Sequence, residues 1–490
     1  MHEMTTPSGK YGNFLYYALL LLLIWLPLPL GSNRPWAEAI FEIWSAMILL
    51  FWIAGYLRGH FLPGAAFRGA RAILWLLAIW LAYLMLQWLP LPYAMRSMLS
   101  PEGASIRVLA GEIGWGPLSV APYSTFHYWL KSAAYVSTFA LILLLVNSKI
   151  RLVMLGYMLV LSGVFQASYG SIMTLSGLEY GFLMKKAFYT GFATGTYVNR
   201  DHLAGYLEMA LAVGIGLLFA TTYEKSEART WRQRLRNWLN LASSHKLPLR
   251  LMLAVMVIGL VLTRSRMGNT AFFASMLVSG LLTLSAFRNQ AGSVAKMFRH
   301  SDTRSAVILI ASLVVIDTFI VGAWFGVEKL AQRIAATSVA NDAERIYVSE
   351  DTLDLLKDYP LTGAGGGSFH LAFMRYRDPE LRNYYDHAHD DYLEIMADNG
   401  AIGIALLGSS VVLSLRAALL ALYRRRDGLM RGMAFSSIMG TSALLIHGTV
   451  DFNLQIPANA ATFMVILSLG WIALHLDRHQ GMRENRNASR

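Results

Sequence analysis

Asp386-His-Ala-His-Asp-Asp-Tyr-Leu-Glu-Ile-Met-Ala-Asp-Asn-Gly400 joins a long polar segment of the chain to an apolar one. Within this stretch, apolar and acidic residues recur at helical spacing on opposite faces, which predicts a short amphipathic helix. The acidic face consists of Asp391, Glu394 and Asp398. Asn399-Gly400 is a stop signal for that helix. Residues 401–423 are almost wholly apolar and long enough to cross a bilayer, so we expect His387 and His389 just outside the hydrocarbon at one membrane face.

The composition is that of a membrane protein. Of the 490 residues, 55% are hydrophobic and only 15% are charged, whereas apolar residues usually make up about 45 to 50% of a soluble protein. The chain contains no cysteine. Disulfides, cysteine metal sites and thiol catalysis are therefore excluded.

Long apolar runs predict the transmembrane helices. Runs of roughly 17 to 23 residues suit a hydrocarbon core about 30 Å thick. They begin near Phe14, Trp36, Ala70, Trp129, Leu152, Leu203, Leu251, Met267, Ser305, Ala401, Met433 and Ala458. The first run lacks a small-residue cleavage site, which favours a retained helix over a removed signal peptide. We predict an all-α integral membrane protein with about twelve transmembrane helices.

The charge distribution predicts how these helices cross the membrane. With the N-terminus inside, the cytoplasmic side receives both termini and the loops near residues 58–71, 147–151, 222–250, 288–304 and 424–432. That side carries a net charge of +18 and the rest of the chain −6, which together give the +12 of the whole chain. An excess of Lys and Arg marks cytoplasmic loops. The basic clusters are thus topology signals next to anionic lipid, and we expect no nucleic-acid partner.

The opposite face, periplasmic in a Gram-negative cell, receives the longest loops. We divide the chain into residues 1–326 with helices one to nine, residues 327–400 as a large periplasmic loop, and residues 401–490 with helices ten to twelve and a basic tail. Within the large loop, Gly363-Ala-Gly-Gly-Gly-Ser368 could present amides to phosphate. It lacks the spacing and the Lys-Ser/Thr of a nucleotide P-loop, which favours a flexible turn.

Three segments resemble the O-antigen ligase and polymerase superfamily of bacterial membrane glycosyltransferases. His389-Asp-Asp-Tyr-Leu-Glu394 is similar to the family's H-N-x-Y-L-E-like stretch, with Asp390 where Asn is more common. Asn199-Arg-Asp-His-Leu-Ala-Gly205 resembles its N-R-N-H-x-x-G segment. Thr263-Arg-Ser-Arg-Met-Gly268 resembles its T-x-S-R-x-G/A segment. The resemblance implies a GT-C-like fold with the large loop between helices nine and ten.

Arginines near the outer face run against the positive-inside bias and need a counter-charge or a function. Arg200, Arg264 and Arg266 offer planar, permanently charged groups suited to a diphosphate. We expect Arg200 and Arg266 to bind it, with Arg264 as the nearest substitute. The alternatives are interface anchoring for the last two and a salt bridge from Arg200 to Asp201 or Glu208. The resemblance adds one further substrate-binding candidate, Arg345.

Histidines are the candidate proton acceptors. The resemblance favours His389 as the catalytic base, with His387 as its rival. A helix N-terminus there favours the neutral imidazole that a base requires, whereas Asp390 and Asp391 favour the charged form. The alternative is that both histidines only cap the helix. His447 and Asp451 lie at the outer end of the last two helices, where they line the substrate site or serve helix packing. No metal is expected, because adjacent acids at a helix start cannot all face one ion.

The resemblance implies a metal-independent, inverting glycosyltransferase of the bacterial inner membrane without a cofactor. Its donor would be a glycan on undecaprenyl diphosphate, and its acceptor a hydroxyl of a glycan or of lipid A core at the periplasmic face. Relatives ligate glycans, polymerise them or glycosylate proteins, and the sequence leaves these open. The alternative of another class is a transporter or flippase of lipid-linked oligosaccharides. Such a protein would place charges deep in several helices.

Overall fold

The computed structural model describes residues 10–222, 247–291, 347–379 and 384–476. Helices dominate these ranges, and the only strands within them, β1 (Tyr180–Gly181) and β2 (Met184–Lys185), form a short antiparallel hairpin. The helices are α1 (Lys10–Trp25), α2 (Pro35–Leu57), α3 (Ala65–Gly69), α4 (Arg71–Trp88), α5 (Tyr93–Leu99), α6 (Pro101–Leu109), α7 (Pro122–Leu145), α8 (Lys149–Leu175), α9 (Arg200–Thr222), α10 (Leu247–Thr263), α11 (Arg266–Ala291), α12 (residues 347–358), α13 (Phe369–Ala372), α14 (Asp391–Arg424), α15 (Gly428–His447) and α16 (Pro457–His475). Short 3-10 helices lie at Leu30–Ser32, Phe373–Arg375 and Asn453–Gln455.

Nine helices of the described ranges are long and apolar enough to cross a bilayer. They are α2, α4, α7, α8, α9, α11, α14, α15 and α16. The shorter apolar helices α1 and α10 match two more predicted runs. The prediction of an all-α, multi-span membrane protein is therefore confirmed. The run predicted from Ser305 lies outside the described residues.

Helices α9, α15 and α16 form the enclosed centre of the helix bundle. Helix α9 crosses α15 at Gly216 and Gly432, where a Cβ on either glycine would collide with the carbonyl oxygen of the other. Small residues of this kind let two membrane helices approach closely. The crossing holds the outer parts of α9 and α15 side by side, and these parts carry several of the candidate site residues.

Helix α14 contains both the predicted amphipathic helix and the membrane helix that follows it. The two parts meet at a kink at Gly400, whose φ of 61° and ψ of −168° are not helical. A side chain at this position would collide with the carbonyl oxygen of Leu361, so the bend depends on glycine. The stop signal predicted at this residue is confirmed as a kink. The three-part division at residues 326 and 400 stays a prediction.

The glycine-rich segment, residues 363–368, forms a tight turn that packs against α14. The backbone amides of Gly367, Ser368 and Phe369 donate hydrogen bonds of 2.8, 3.0 and 2.8 Å to the carboxylate of Asp398. The hydroxyl of Tyr83 lies 2.8 Å from the carbonyl oxygen of Asn399 and ties α4 to the same place. Because these amides already bind a carboxylate of the chain itself, the structure supports the turn and not a phosphate cradle.

The charge asymmetry predicts that α12 lies outside and the connection between α14 and α15 inside. The side chain of Lys357 in α12 is 75% exposed, and Arg426 in that connection is also exposed. We expect Lys357→Cys to react with a membrane-impermeant maleimide in intact spheroplasts, and Arg426→Cys to react only after permeabilisation. The chain has no cysteine of its own, so the wild-type protein should not react with the maleimide. The reverse labelling pattern would contradict the topology.

Candidate functional site

Residues 384–390, which we call the histidine loop, end at the N-cap of α14. The carboxylate of Asp390 accepts hydrogen bonds of 2.8 and 3.0 Å from the amides of Tyr392 and Leu393, as an N-cap residue does. The cap is therefore an aspartate and neither of the histidines. His389, directly before it, has a φ of 54°, in the left-handed region that side chains rarely adopt. Such strain persists where the surrounding structure fixes it, commonly at functional sites.

The acidic face of α14 points into the protein. Asp391, Glu394 and Asp398 are each no more than 2% exposed. One oxygen of Glu394 lies 2.7 Å from Nδ1 of His387, and the other accepts a hydrogen bond of 2.9 Å from the amide of Ala388. The predicted amphipathic helix is confirmed, but its polar side faces inward and fixes the histidine loop.

Three imidazoles surround the ring of Phe452. The ring of His387 stacks on it with a centroid distance of 4.3 Å and an interplanar angle of 17°. His389 and His202 approach it nearly perpendicularly, at 4.9 and 4.6 Å. Both candidate bases are partly exposed, whereas His202 is buried. The predicted pair of histidines is thus part of a group of three, built on one phenylalanine.

Behind Phe452, four buried ionisable side chains alternate between imidazole and carboxylate. Nε2 of His202 lies 3.8 Å from Oδ1 of Asp451, and Oδ2 of Asp451 lies 3.8 Å from Nε2 of His447. Nδ1 of His447 is 2.8 Å from Oε1 of Glu208. His447, Asp451 and Glu208 are at most 2% exposed. The structure therefore places His447 and Asp451 in the interior, behind the ring that the imidazoles contact.

Arg200 and Arg264 both contact a second aromatic ring, that of Phe192. The guanidinium of Arg200 lies 4.3 Å from the centroid of Phe192, and that of Arg264 lies 5.5 Å from the same centroid. Both contacts are cation–π interactions. Nε of Arg200 is 3.8 Å from Asp201, so one of its two predicted acidic partners is nearby, while Glu208 binds His447 instead.

Arg264 is exposed and has a φ of 53°, a second left-handed residue of the site. Arg266 is also exposed and begins α11 two residues further on. The structure therefore brings Arg200 and Arg264 to one ring, and Arg266 follows Arg264 by two residues in the chain. Arg345 lies outside the described residues.

Hydrogen bonds hold Phe192 in place. Nζ of Lys186 lies 2.8 Å from the carboxylate of Glu179 and 2.8 Å from the carbonyl oxygen of Phe192. The amide of Ala193 donates a hydrogen bond of 2.9 Å to the carbonyl oxygen of Leu262, at the end of α10. The outer loop before α9 is thus joined to the turn that carries Arg264.

The start of α9 links the two aromatic groups. Arg200 contacts Phe192 and His202 contacts Phe452, two residues apart on the same helical turn. Guanidinium groups bind anions and an imidazole accepts or donates a proton near neutral pH. In the described part of the chain, no group of three or more His, Asp or Glu side chains is arranged to hold a metal ion.

Some residues of the site could not be singled out from the sequence. His202 stands in the segment Asn199–Gly205 that carries the family resemblance, so this motif was the available signal. Phe452 stands in residues 447–457, which also resemble a segment found in many relatives of the family. Phe192 carries no such signal, because its partners come from distant parts of the chain.

Comparison with protein families matches residues 251–408 to the family described as O-antigen ligase. The matched segment is less than half of the chain, and it includes Arg264, Arg266, His387 and His389. A search of curated proteins found no match. The family match supports an O-antigen ligase-like function and a glycosyltransferase-type activity in general terms. Residues 251–408 are therefore similar to the O-antigen ligase family, which confirms the predicted resemblance to the O-antigen ligase and polymerase superfamily.

Proposed function

We propose that the protein transfers a glycan from undecaprenyl diphosphate to an acceptor hydroxyl at the periplasmic face of the bacterial inner membrane. The observation that carries this proposal is that the first turn of α9 joins two groups of side chains. One group is the arginines on the ring of Phe192, and the other is the histidines on the ring of Phe452. An inverting displacement needs the attacking hydroxyl deprotonated and the charge of the leaving diphosphate compensated. One group of residues suits each task.

The arginines are proposed to bind the diphosphate. Arg200 and Arg264 carry like charges and contact one aromatic ring, so an anion bound to both would relieve their mutual repulsion. Arg266 supplies a third guanidinium from the beginning of α11. Because these side chains provide permanent positive charge, we propose that transfer requires neither a metal ion nor a cofactor.

His389 is the proposed base, and the structure gives its rival another task. Burial disfavours the charged form of His387, but the ion pair and hydrogen bond with Glu394 outweigh burial and raise its pKa above the ordinary value. The raised pKa keeps His387 protonated over a wider pH range, and the protonated form cannot accept a proton from an acceptor hydroxyl. His389 directly precedes the N-terminus of α14, where the helix dipole disfavours imidazolium.

Purified protein in detergent with a lipid-linked oligosaccharide tests the function directly. A ladder of products indicates a polymerase, a single shift of a lipid A core acceptor a ligase, and a modified acceptor protein a protein O-oligosaccharyltransferase. Transport across vesicle membranes without any transfer would reject the enzyme and support the transporter or flippase.

Arg200→Lys is expected to lower the rate of transfer by about tenfold or more, because lysine keeps the charge but loses the planar, two-pronged geometry. Arg375→Lys is the matched control, since Arg375 is an outer arginine that pairs with Glu102 away from the aromatic groups. This control should transfer glycan at the wild-type rate. Wild-type transfer by both Arg200→Ala and Arg266→Ala would reject the diphosphate role and favour interface anchoring.

His389→Asn is expected to give a folded protein that binds the lipid-linked donor but transfers little glycan. Asparagine tolerates the left-handed backbone of this position better than alanine does, and it cannot act as a base. His370→Asn, in the same outer segment, is the control for a lost imidazole. If His389→Asn and His389→Ala transfer normally while His387→Ala does not, the base is His387; activity in all of them places it elsewhere.

The stability of the fold should depend on pH through His387. Because its pKa is raised in the folded state, its pair with Glu394 stabilises fully below the unfolded pKa of about 6.5. This contribution is lost as pH rises through the folded pKa. We expect His387→Gln to destabilise the protein by roughly 1–3 kcal/mol at about pH 6 and by less at about pH 9. Unfolding in detergent measures both values, and a pH-independent difference would contradict the ion pair.

A further inference from the structure

The outer turn between α15 and α16, residues 448–454, is bound to the start of α14. The amide of Asp391 donates hydrogen bonds of 2.9 and 3.1 Å to the carbonyl oxygens of Gly448 and Asp451. In return, the amide of Leu454 donates a hydrogen bond of 3.1 Å to the carboxylate of Asp391. The turn lies outside the matched family segment, yet it is attached in both directions to the helix that follows His389.

Phe452 projects from this turn into the group of histidines. It is buried, its face is covered by the ring of His387, and the ring of His389 meets it nearly at right angles. Stacked and perpendicular contacts are the favourable geometries of aromatic pairs. One phenylalanine therefore restricts the plane and the position of both imidazoles.

Buried polar groups fix the turn from behind. Asp451, next to Phe452, accepts a hydrogen bond of 3.0 Å from Asn453. Nδ2 of Asn459, in α16, lies 2.7 Å from Oδ1 of Asn453. On the other side, Glu208 and His447 connect Asp451 to α9 and α15. These contacts attach the turn to three helices, α9, α15 and α16, and breaking a buried polar contact is costly in a low dielectric.

We infer that Phe452 is a positioning residue for His389, and that the buried chain from Glu208 through His447 to Asp451 holds the phenylalanine in register. The inference rests on the proposed transfer reaction. Phe452 would not touch the reacting atoms; it would keep the imidazole where a hydroxyl can reach it. His447 and Asp451, predicted to line the substrate site, would act on the reaction through this ring.

Phe452→Leu tests the role of the ring, because leucine keeps an apolar side chain without a flat face. We expect kcat to fall by about tenfold or more, while KM for the lipid-linked donor stays unchanged because the arginines are intact. Phe452→Tyr retains the ring and should recover most of kcat. Phe139→Leu removes a fully buried ring in α7 and is the control for a general loss of packing; its kcat per folded molecule should match the wild type.

Modification of histidines by diethyl pyrocarbonate provides a readout that does not need transfer. Mass spectrometry of Phe452→Leu should show faster modification of His389 and His387 than in wild type or Phe139→Leu. Unchanged modification rates and unchanged kcat in Phe452→Leu would overturn the inference. If the wild-type protein transfers no glycan, the proposed function fails, and the modification rates still decide whether Phe452 positions the histidines.

A pair of variants at Glu208 distinguishes positioning from proton transfer along the buried chain. Glutamine keeps an oxygen that can accept a hydrogen bond from Nδ1 of His447, whereas alanine does not. A positioning role predicts that Glu208→Gln keeps several-fold more kcat than Glu208→Ala, with the pH profile of kcat unchanged. Equal losses in both variants, with an altered pH profile, would show that the chain carries protons and overturn the positioning role.

Discussion

Three buried carboxylates on one face of α14 connect this helix to three other segments of the chain. Asp391, Glu394 and Asp398 each bind a different segment: the turn before α16, the histidine loop and the glycine-rich turn. A buried carboxylate without partners would cost several kcal/mol. Because each has backbone amides to bind, the same helix stripe sets the position of three loops that are far apart in the sequence.

The sequence was sufficient where the governing physics is local. Hydrocarbon thickness fixes the length of a spanning helix, so apolar runs located all the described helices that are long and apolar enough to span a bilayer. Gly400 marked the bend of α14 because a side chain has no room there. The motifs selected Arg200 and Arg266 for the diphosphate, with Arg264 as the nearest substitute, whereas the structure brings Arg264 to the ring that Arg200 contacts.

Periodicity could not show which face of α14 points inward. An amphipathic pattern defines two faces, and the apolar one usually turns to the core. Here the partners of the acids, such as the amides of Ala388 and Leu454, come from other segments. The left-handed backbone of His389 and Arg264 was equally hidden. The residue type does not predict this conformation in either case, because contacts with the surrounding structure impose it.

The pair between Glu208 and His447 joins residues 239 positions apart. Membrane helices enter the bilayer in the order of their synthesis, so α9 is inserted long before α15 exists. During that interval Glu208 has no imidazole to bind, and the crossing of Gly216 with Gly432 cannot form. The centre of the protein therefore closes late in biogenesis, and a chain that stops before α15 would leave Glu208 without the imidazole with which it pairs.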